Sequence, residues 1–199
     1  MRPNSPPDPV QRRTPIRLTA VLALAVAAAF VVWLFVRDDD KSNTSTTTKA
    51  TTATTAGVRP LLTAVTPHRL AALAEAAKQP IYWAGPRQRV TYELTRTTDG
   101  RYFVRYLPRG VRVGNRSGQY LLVGTYPVRG AYEAIQRAAK ETGASTFRVP
   151  GGGLAVVNDK APKNVYFAYR RSGYQVEVFD PNGRRARQLV ASGAVNPVR

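Results

Sequence analysis

The chain has 199 residues, of which 43% are hydrophobic, so it is long enough for one ordinary domain with additional segments. Its formal charge is +18, mostly from arginine, which favours an anionic partner, although an arginine excess is also typical of GC-rich genomes. The chain contains no cysteine, which excludes disulfide bonds and thiol chemistry.

The first predicted segments are a short tail and a membrane anchor. Residues 1–17 are basic and rich in proline, which favours a disordered tail. The uncharged residues 18–36 begin at Leu18 and end at Val36, and as a helix they span about 28 Å, the hydrocarbon thickness of a bilayer. A cleaved signal peptide has a shorter apolar stretch, and a buried soluble helix would not have disordered-looking sequence on both sides. The sequence therefore predicts an uncleaved transmembrane helix.

The charges around this helix predict its orientation. Four arginines precede it, whereas only Arg37 and Lys41 follow it closely, with three aspartates between them. An excess of Lys and Arg marks the cytoplasmic side, so the C-terminal part is expected outside the plasma membrane. Arg12-Arg13 also suits a twin-arginine export signal, but the following Thr14-Pro15-Ile16 fits that signal poorly.

Residues 37–57 are predicted to form a stalk. Within them residues 42–57 read SNTSTTTKATTATTAG, which contains no large apolar side chain and cannot bury a core. Fully extended, these sixteen residues reach at most about 50 Å. The composition suits either an unmodified spacer or an O-glycosylated stalk.

Residues 58–199 are predicted to form a single extracytoplasmic α+β domain. A helix begins at Thr66 and Pro67, which suit the N-cap and first helical positions, and ends before Pro80. The other single elements are strands over residues 81–83, 120–126, 147–149 and 154–157 and helices over residues 131–142 and 184–191.

Two predicted hairpins dominate this domain. The first, residues 90–108, turns at Asp99-Gly100, and a two-residue turn there pairs Thr98 with Arg101 and places Glu93 opposite Tyr106. The second, residues 165–179, turns at Ser172-Gly173 and turns its apolar residues inward. Because hairpins dominate, we predict a mostly antiparallel sheet with about three helices on one face.

Four short motifs between Ile81 and about Pro127 read YWAG, YELT, VRYLP and VGTYP. This set resembles uncharacterised single-pass membrane proteins of GC-rich bacteria. No activity is known for that family, so the resemblance implies no site residue.

Candidate catalytic residues are few. His68, the only histidine, lies in the first turn of a predicted helix, where neither a metal site nor a catalytic triad can be built around it. Glu93 and Glu177 lie within the two hairpins, and the favoured interpretation is structural pairing of each with an arginine. They could act as a catalytic pair only if the hairpins bring them together. Gly151-Gly152-Gly153 lacks the Lys-Ser/Thr of a phosphate-binding loop and is expected to form a turn. The sequence predicts no catalytic residue, metal ligand or cofactor.

The remaining feature of the predicted domain is its excess of basic residues. Residues 58–199 contain 23 Lys and Arg against 8 Asp and Glu, a formal charge of +15. Residues 108–118, PRGVRVGNRSG, carry Arg109, Arg112 and Arg116 in a glycine-rich loop. Such arginines suit phosphates or carboxylates, although a merely solvated loop is the alternative. With the predicted topology nucleic acid is out of reach, which leaves anionic lipid, a wall polymer or an acidic protein.

The leading functional prediction is a non-enzymatic binding or assembly module, held in the bilayer through residues 18–36 and contacting an anionic component of the cell envelope. One alternative is an accessory subunit of a membrane complex, which would use an exposed aromatic face such as Tyr102, Val104 and Tyr106. The other is an envelope enzyme that uses the carboxylates of Glu93 and Glu177.

Overall fold

The computed structural model describes residues 61–199; the predicted tail, anchor and stalk lie outside these residues. The described residues form three helices, none of which is long and apolar enough to cross a membrane. The helices are α1 (Pro67–Ala76), α2 (Ala131–Ala138) and α3 (Gly183–Ala191). The strands are β1 (Leu61–Val65), β2 (Tyr82–Trp83), β3 (Val90–Arg96), β4 (Tyr102–Pro108), β5 (Leu122–Pro127), β6 (Ala144–Val149), β7 (Gly153–Asn158), β8 (Asn164–Ala168), β9 (Tyr174–Phe179) and β10 (Asn196–Pro197).

Eight of the strands form one sheet in the order β1-β3-β4-β5-β9-β8-β7-β6. Every neighbouring pair in this sheet is antiparallel, with β1 and β6 at its two edges. The prediction of an α+β domain with a large antiparallel sheet and three helices is thereby confirmed for residues 61–199.

Helices α1 and α3 cover one face of the sheet. Thr66 caps α1 by accepting a hydrogen bond from the backbone N–H of Arg69 at 3.2 Å, and Pro67 occupies the first turn, as predicted. Directly opposed residues of antiparallel strands lie on the same face, so the register builds an apolar row across the middle of the sheet. This row packs with buried residues of α1 and α3 in one core: Val104, Val123, Val178, Val165, Leu70, Ala186 and Val190.

Helix α2 covers the opposite face. Its buried Ala131 and Ile135 pack with Val156 of β7 and Tyr166 of β8. Because Tyr166 follows Val165 in the same strand, the two side chains lie on opposite faces. The expectation that all helices cover one face is therefore wrong. Strand β8 is buried continuously from its second residue onward, a pattern that requires both faces to be covered.

The register of the first hairpin differs from the predicted one by a single residue. Strand β3 ends at Arg96 and β4 begins at Tyr102, so five residues connect them. Thr97 closes this connection, since its N–H donates to the carbonyl of Arg101 at 3.0 Å and its hydroxyl accepts from the N–H of Arg101 at 3.1 Å. Because a one-residue shift turns every side chain of one strand to the other face, Glu93 lies opposite Arg105 instead of Tyr106.

The last strand returns to the beginning of the domain. Strand β10 pairs with β2, and the N–H of Val198 donates to the carbonyl of Ile81 at 2.9 Å. The N–H of Tyr82 in turn donates to the hydroxyl of Thr125 in β5 at 2.9 Å. The side chains of Ile81 and Val198 belong to the core under α1 and α3, so this small two-stranded sheet completes that layer.

Candidate functional site

The three arginines singled out from the sequence lie in residues 109–121, which connect β4 to β5 and which we call the arginine loop. Arg109, Arg112 and Arg116 are all exposed. Two backbone turns shape the loop: the N–H of Val111 donates to the carbonyl of Pro108 at 3.0 Å, and the N–H of Asn115 donates to that of Arg112 at 3.1 Å. The loop is thus folded locally while it presents its guanidinium groups to solvent.

A buried ion pair lies beneath this loop. Glu93 of β3 and Arg105 of β4 are directly opposed, and Arg105 Nη1 donates to Glu93 Oε1 at 2.7 Å. The Glu93 side chain is 0% exposed and that of Arg105 is 15% exposed. Removal of one partner from a buried ion pair typically costs about 3–5 kcal/mol. Because the two side chains are opposed only in the observed register, the pair favours this register over one shifted by a residue.

The same two side chains hold the arginine loop by its backbone. Glu93 Oε2 accepts from the N–H of Gly114 at 2.5 Å. Arg105 donates from Nη1 to the carbonyl of Asn115 at 2.9 Å and from Nη2 to that of Ser117 at 2.8 Å. Its guanidinium also lies over the ring of Tyr120, 5.5 Å from the ring centroid. Three backbone groups and one aromatic ring of the loop thus contact a single buried ion pair.

Gly114 is required at its position by its backbone conformation. Its φ of 82° lies in the left-handed region, which costs other residues about 1–2 kcal/mol. This conformation accompanies the inward hydrogen bond of its N–H to Glu93. A side chain at this residue would strain the point at which the loop is attached.

The basic groups of the arginine loop have no acidic partner among residues 61–199. Ion pairs in that part of the chain include those of Arg101 with Asp99 at 2.7 Å, Arg105 with Glu93 at 2.7 Å and Arg185 with Asp180 at 3.6 Å. None of them involves an arginine of the loop. The loop therefore presents three exposed guanidinium groups, and guanidinium is the side-chain group that pairs with phosphates and carboxylates in a bidentate manner.

Glu177 of β9 lies in a second buried polar cluster. Its side chain, 1% exposed, accepts from the hydroxyl of Tyr126, from that of Tyr166 at 3.1 Å and from Asn164 Nδ2 at 2.5 Å. Burial raises the pKa of this carboxyl, and the three hydrogen bonds oppose that rise. Burial and the nearby Glu177 also raise the pKa of Tyr126 and of Tyr166.

Gly124 makes room for this cluster. It lies directly opposite Glu177, and the ring of Tyr126 folds over it to reach the carboxyl group. A Cβ atom at Gly124 would lie 2.9 Å from Cε2 of Tyr126, closer than such contacts normally come. Every polar group around Glu177 is supplied by a neighbouring strand, which indicates a structural cluster.

The two glutamates share a sheet face but do not converge. Three strand spacings separate β3 from β9, which corresponds to about 14 Å. Carboxylates that act together in glycoside hydrolysis are about 5–9.5 Å apart. Each glutamate instead binds its own separate set of donors. The carboxylate pair considered from the sequence is not formed.

The other candidate residues from the sequence lie on the surface, in a turn or in the core. His68 is exposed in the first turn of α1, and residues 61–199 contain no group of three or more acidic or histidine side chains that could hold a metal ion. Gly151 and Gly152 form the turn between β6 and β7, as predicted, with φ values of 84° and 85°. The aromatic face suggested as a partner surface is buried, because Tyr102, Val104 and Tyr106 belong to the core under α1 and α3.

Sequence reasoning located the loop but missed what holds it. The predicted pairing with an arginine is confirmed for Glu93 and wrong for Glu177, whose partners are neutral. The sequence did not identify Arg105 as the partner, because the predicted register placed Glu93 opposite Tyr106. The available signal was the alternation of the strand: Glu93 follows Tyr92 and precedes Leu94, two residues that face the core. A charged residue between them required a partner on the opposite face.

Comparisons with family models, curated proteins and solved structures found no match to this chain. The arginine loop and the two buried glutamates are therefore the features from which a function can be inferred.

Proposed function

We propose that the domain is a non-enzymatic binding module that contacts an anionic component of the cell envelope through the arginine loop. The module would be held at the plasma membrane by residues 18–36, with its C-terminal domain outside. The observation that carries the proposal is the attachment of an exposed, triply basic loop to a buried ion pair.

Attachment matters because binding normally costs the ordering of the groups that make contact. A free loop would lose backbone and side-chain freedom when its arginines met a ligand. Here Glu93 and Arg105 hold the backbone at Gly114, Asn115 and Ser117 before any ligand is present. The affinity of the loop for anions is thereby increased without further contacts.

The charge of the surrounding domain supports the same partner class. Residues 58–199 carry a formal charge of +15, so an anion approaching the arginine loop meets a positive field. Such a field increases association rates at low salt and is screened within about 8–10 Å at physiological ionic strength. Binding is therefore expected to be strongly salt-dependent.

The test uses the full chain in a neutral detergent with three probes: polyphosphate as a soluble polyanion, vesicles that contain anionic phospholipid, and an isolated anionic wall polymer. The triple variant Arg109→Ala, Arg112→Ala, Arg116→Ala should bind the preferred probe at least about tenfold more weakly, given the energies of charge-assisted hydrogen bonds. Raising the salt concentration should reduce wild-type binding towards the level of the variant.

The matched control is Arg129→Ala, Arg148→Ala, Arg184→Ala, which removes the same charge from exposed positions outside the loop. It should retain most of the binding. Equal losses in the two triple variants would show a diffuse charge effect and contradict the proposed site, as would wild-type binding that is insensitive to salt.

A further inference from the structure

Exposed large hydrophobic side chains occur in the arginine loop and in the edge strand β1. In the part of the chain that the structure describes there are three of them: Leu61 at 62% exposure, Leu62 at 42% and Val113 at 36%. Leu61 and Leu62 begin the edge strand β1, whereas Val113 lies within the arginine loop between Arg112 and Gly114.

The register of β1 places Leu62 next to the loop. Leu62 lies opposite Thr95 and Ala64 lies opposite Glu93, so Leu62 is on the sheet face from which Glu93 holds the loop. Leu62 Cδ2 lies 3.9 Å from the position that a Cβ atom at Gly114 would occupy. Leu62, Val113 and the three arginines of the loop therefore form one region, which we call the amphiphilic patch. Leu61 precedes Leu62 in the strand and faces the opposite side of the sheet.

This patch lies where the chain enters the domain from its predicted anchor. Leu61 is the first described residue, and the 24 residues 37–60 connect it to the end of the apolar segment at Val36. A random-coil chain of that length would have a root-mean-square reach of about 27 Å. The patch is thus kept close to any bilayer that holds residues 18–36, at an effective concentration in the millimolar range.

We infer that the amphiphilic patch docks onto the anionic phospholipid surface of the bilayer in which the same chain is anchored. The inference rests on the proposed function and names its partner. Leu62 and Val113 enter the interfacial layer, and the arginines bind lipid phosphates. This combination of apolar and basic side chains is the one that interfacial membrane-binding surfaces use.

The two halves of the patch together select this partner. A hydrophilic wall polymer would bind the arginines but would leave the hydrophobic side chains in water. A neutral protein strand added to the edge of β1 would cover the leucines but would leave three guanidinium groups without counter-charge. Only a surface with both phosphates and accessible acyl chains matches all five side chains.

The absence of cysteine allows a direct test by site-specific labelling. The variant Val113→Cys of the full chain would carry a polarity-sensitive fluorophore and be reconstituted into nanodiscs of neutral lipid or of neutral lipid mixed with an anionic phospholipid. We expect a blue-shifted and stronger emission only in the anionic nanodiscs, reversed by high salt. The matched control is Thr146→Cys, an exposed residue on β6 at the opposite edge of the sheet, whose emission should not depend on the lipid.

Removing the three arginines in the labelled protein should lower the ratio of docked to undocked domain by about fivefold per arginine, hence on the order of 100-fold in total. An unchanged emission of the Val113→Cys label between neutral and anionic nanodiscs would overturn the inference. So would an emission change that appears in detergent and grows with protein concentration, because a second copy would then occupy the patch.

These outcomes separate the inference from the proposed function. If the label does not respond to anionic lipid while polyphosphate or wall polymer still binds through the arginine loop, the lipid assignment is wrong and the anion-binding module remains. If no probe binds through the loop, both fail.

Discussion

The two buried glutamates of the sheet lie on one face, yet they are stabilised in opposite ways. Glu93 is neutralised by a cation, Arg105, and the pair reaches outward to hold a surface loop. Glu177 has only neutral donors, and its cluster is closed within the sheet by Tyr126, Tyr166 and Asn164. A buried carboxylate in a strand can therefore hold a surface loop when an arginine pairs with it, as at Glu93. It can also stabilise the interior of the sheet through neutral hydrogen-bond donors, as at Glu177.

The largest expected effect comes from breaking the ion pair. Arg105→Ala leaves the fully buried Glu93 charge without its partner and should reduce the free energy of unfolding by about 3–5 kcal/mol. The measurement is urea unfolding of the full chain in neutral detergent, followed by circular dichroism. The double variant Glu93→Leu, Arg105→Met should recover most of the loss, because apolar side chains of similar volume can replace a buried pair. A loss below about 1 kcal/mol in the single variant would show that the pair is not structural.

Substitution of Gly124, which lies beneath the ring of Tyr126, tests the packing around Glu177. Gly124→Ala places a methyl group 2.9 Å from the ring that reaches Glu177, so the ring must move and its hydrogen bond must weaken. We expect a loss of about 2–3 kcal/mol in the free energy of unfolding, from overpacking and the lost bond together. Gly173→Ala is the control, since it meets no atom within 4 Å and should change stability by less than about 1 kcal/mol. Equal effects of the two substitutions would contradict the close packing at Gly124.

The pH dependence separates the two glutamates. The pKa of Glu177 in the folded chain is raised by burial, so the folded state binds its proton more tightly than the unfolded state does. Its contribution to stability is full below the ordinary glutamate pKa of 4.5 and is lost as the pH rises through the folded value. Each tenfold difference in proton affinity is worth about 1.4 kcal/mol.

Unfolding free energies of the wild type and of Glu177→Gln, measured from about pH 4 to pH 8, check this sign. The wild type should lose stability relative to the variant as the pH rises. A wild type that gains stability relative to the variant over this range would show that the hydrogen bonds to the carboxyl group outweigh its burial.

The smallest effect is expected in the arginine loop itself. Each of Arg109→Ala, Arg112→Ala and Arg116→Ala should change the free energy of unfolding by no more than about 0.5 kcal/mol, since all three side chains are exposed. A larger loss in urea unfolding would assign these arginines a structural role and remove the contrast between them and Arg105.

The local part of the fold was predictable from the sequence. Thr66 and Pro67 start α1 as their chemistry requires, and the turn at residues 151–152 connects the expected strands. These features depend on neighbouring residues only. The second hairpin also forms, but five residues, 169–173, connect its strands in place of a two-residue turn at residues 172–173. The strand at residues 61–65 was missed, because LLTAV carries neither alternation nor a turn signal and is defined only by its pairing with β3.

The candidate site was predictable only at its surface. The close spacing of Arg109, Arg112 and Arg116 can be seen in the sequence. The attachment of the loop cannot, because it depends on a contact between Glu93 and Gly114, which are 21 residues apart. That contact requires the register of β3 and β4, which the five-residue connection shifts by one position. The distribution of the helices over both faces of the sheet was not predictable either. An amphipathic pattern shows that a helix packs against a sheet, but it does not show which face the helix covers.

The pairing of β10 with β2 also makes the domain sensitive to truncation. Val195 and Val198 are buried in the core, and the N–H of Val198 satisfies the carbonyl of Ile81. Removal of residues 195–199 would expose the layer beneath α1 and α3 to water and leave that carbonyl without its donor. A tag or fusion partner at this end is therefore best separated from Val198 by a spacer.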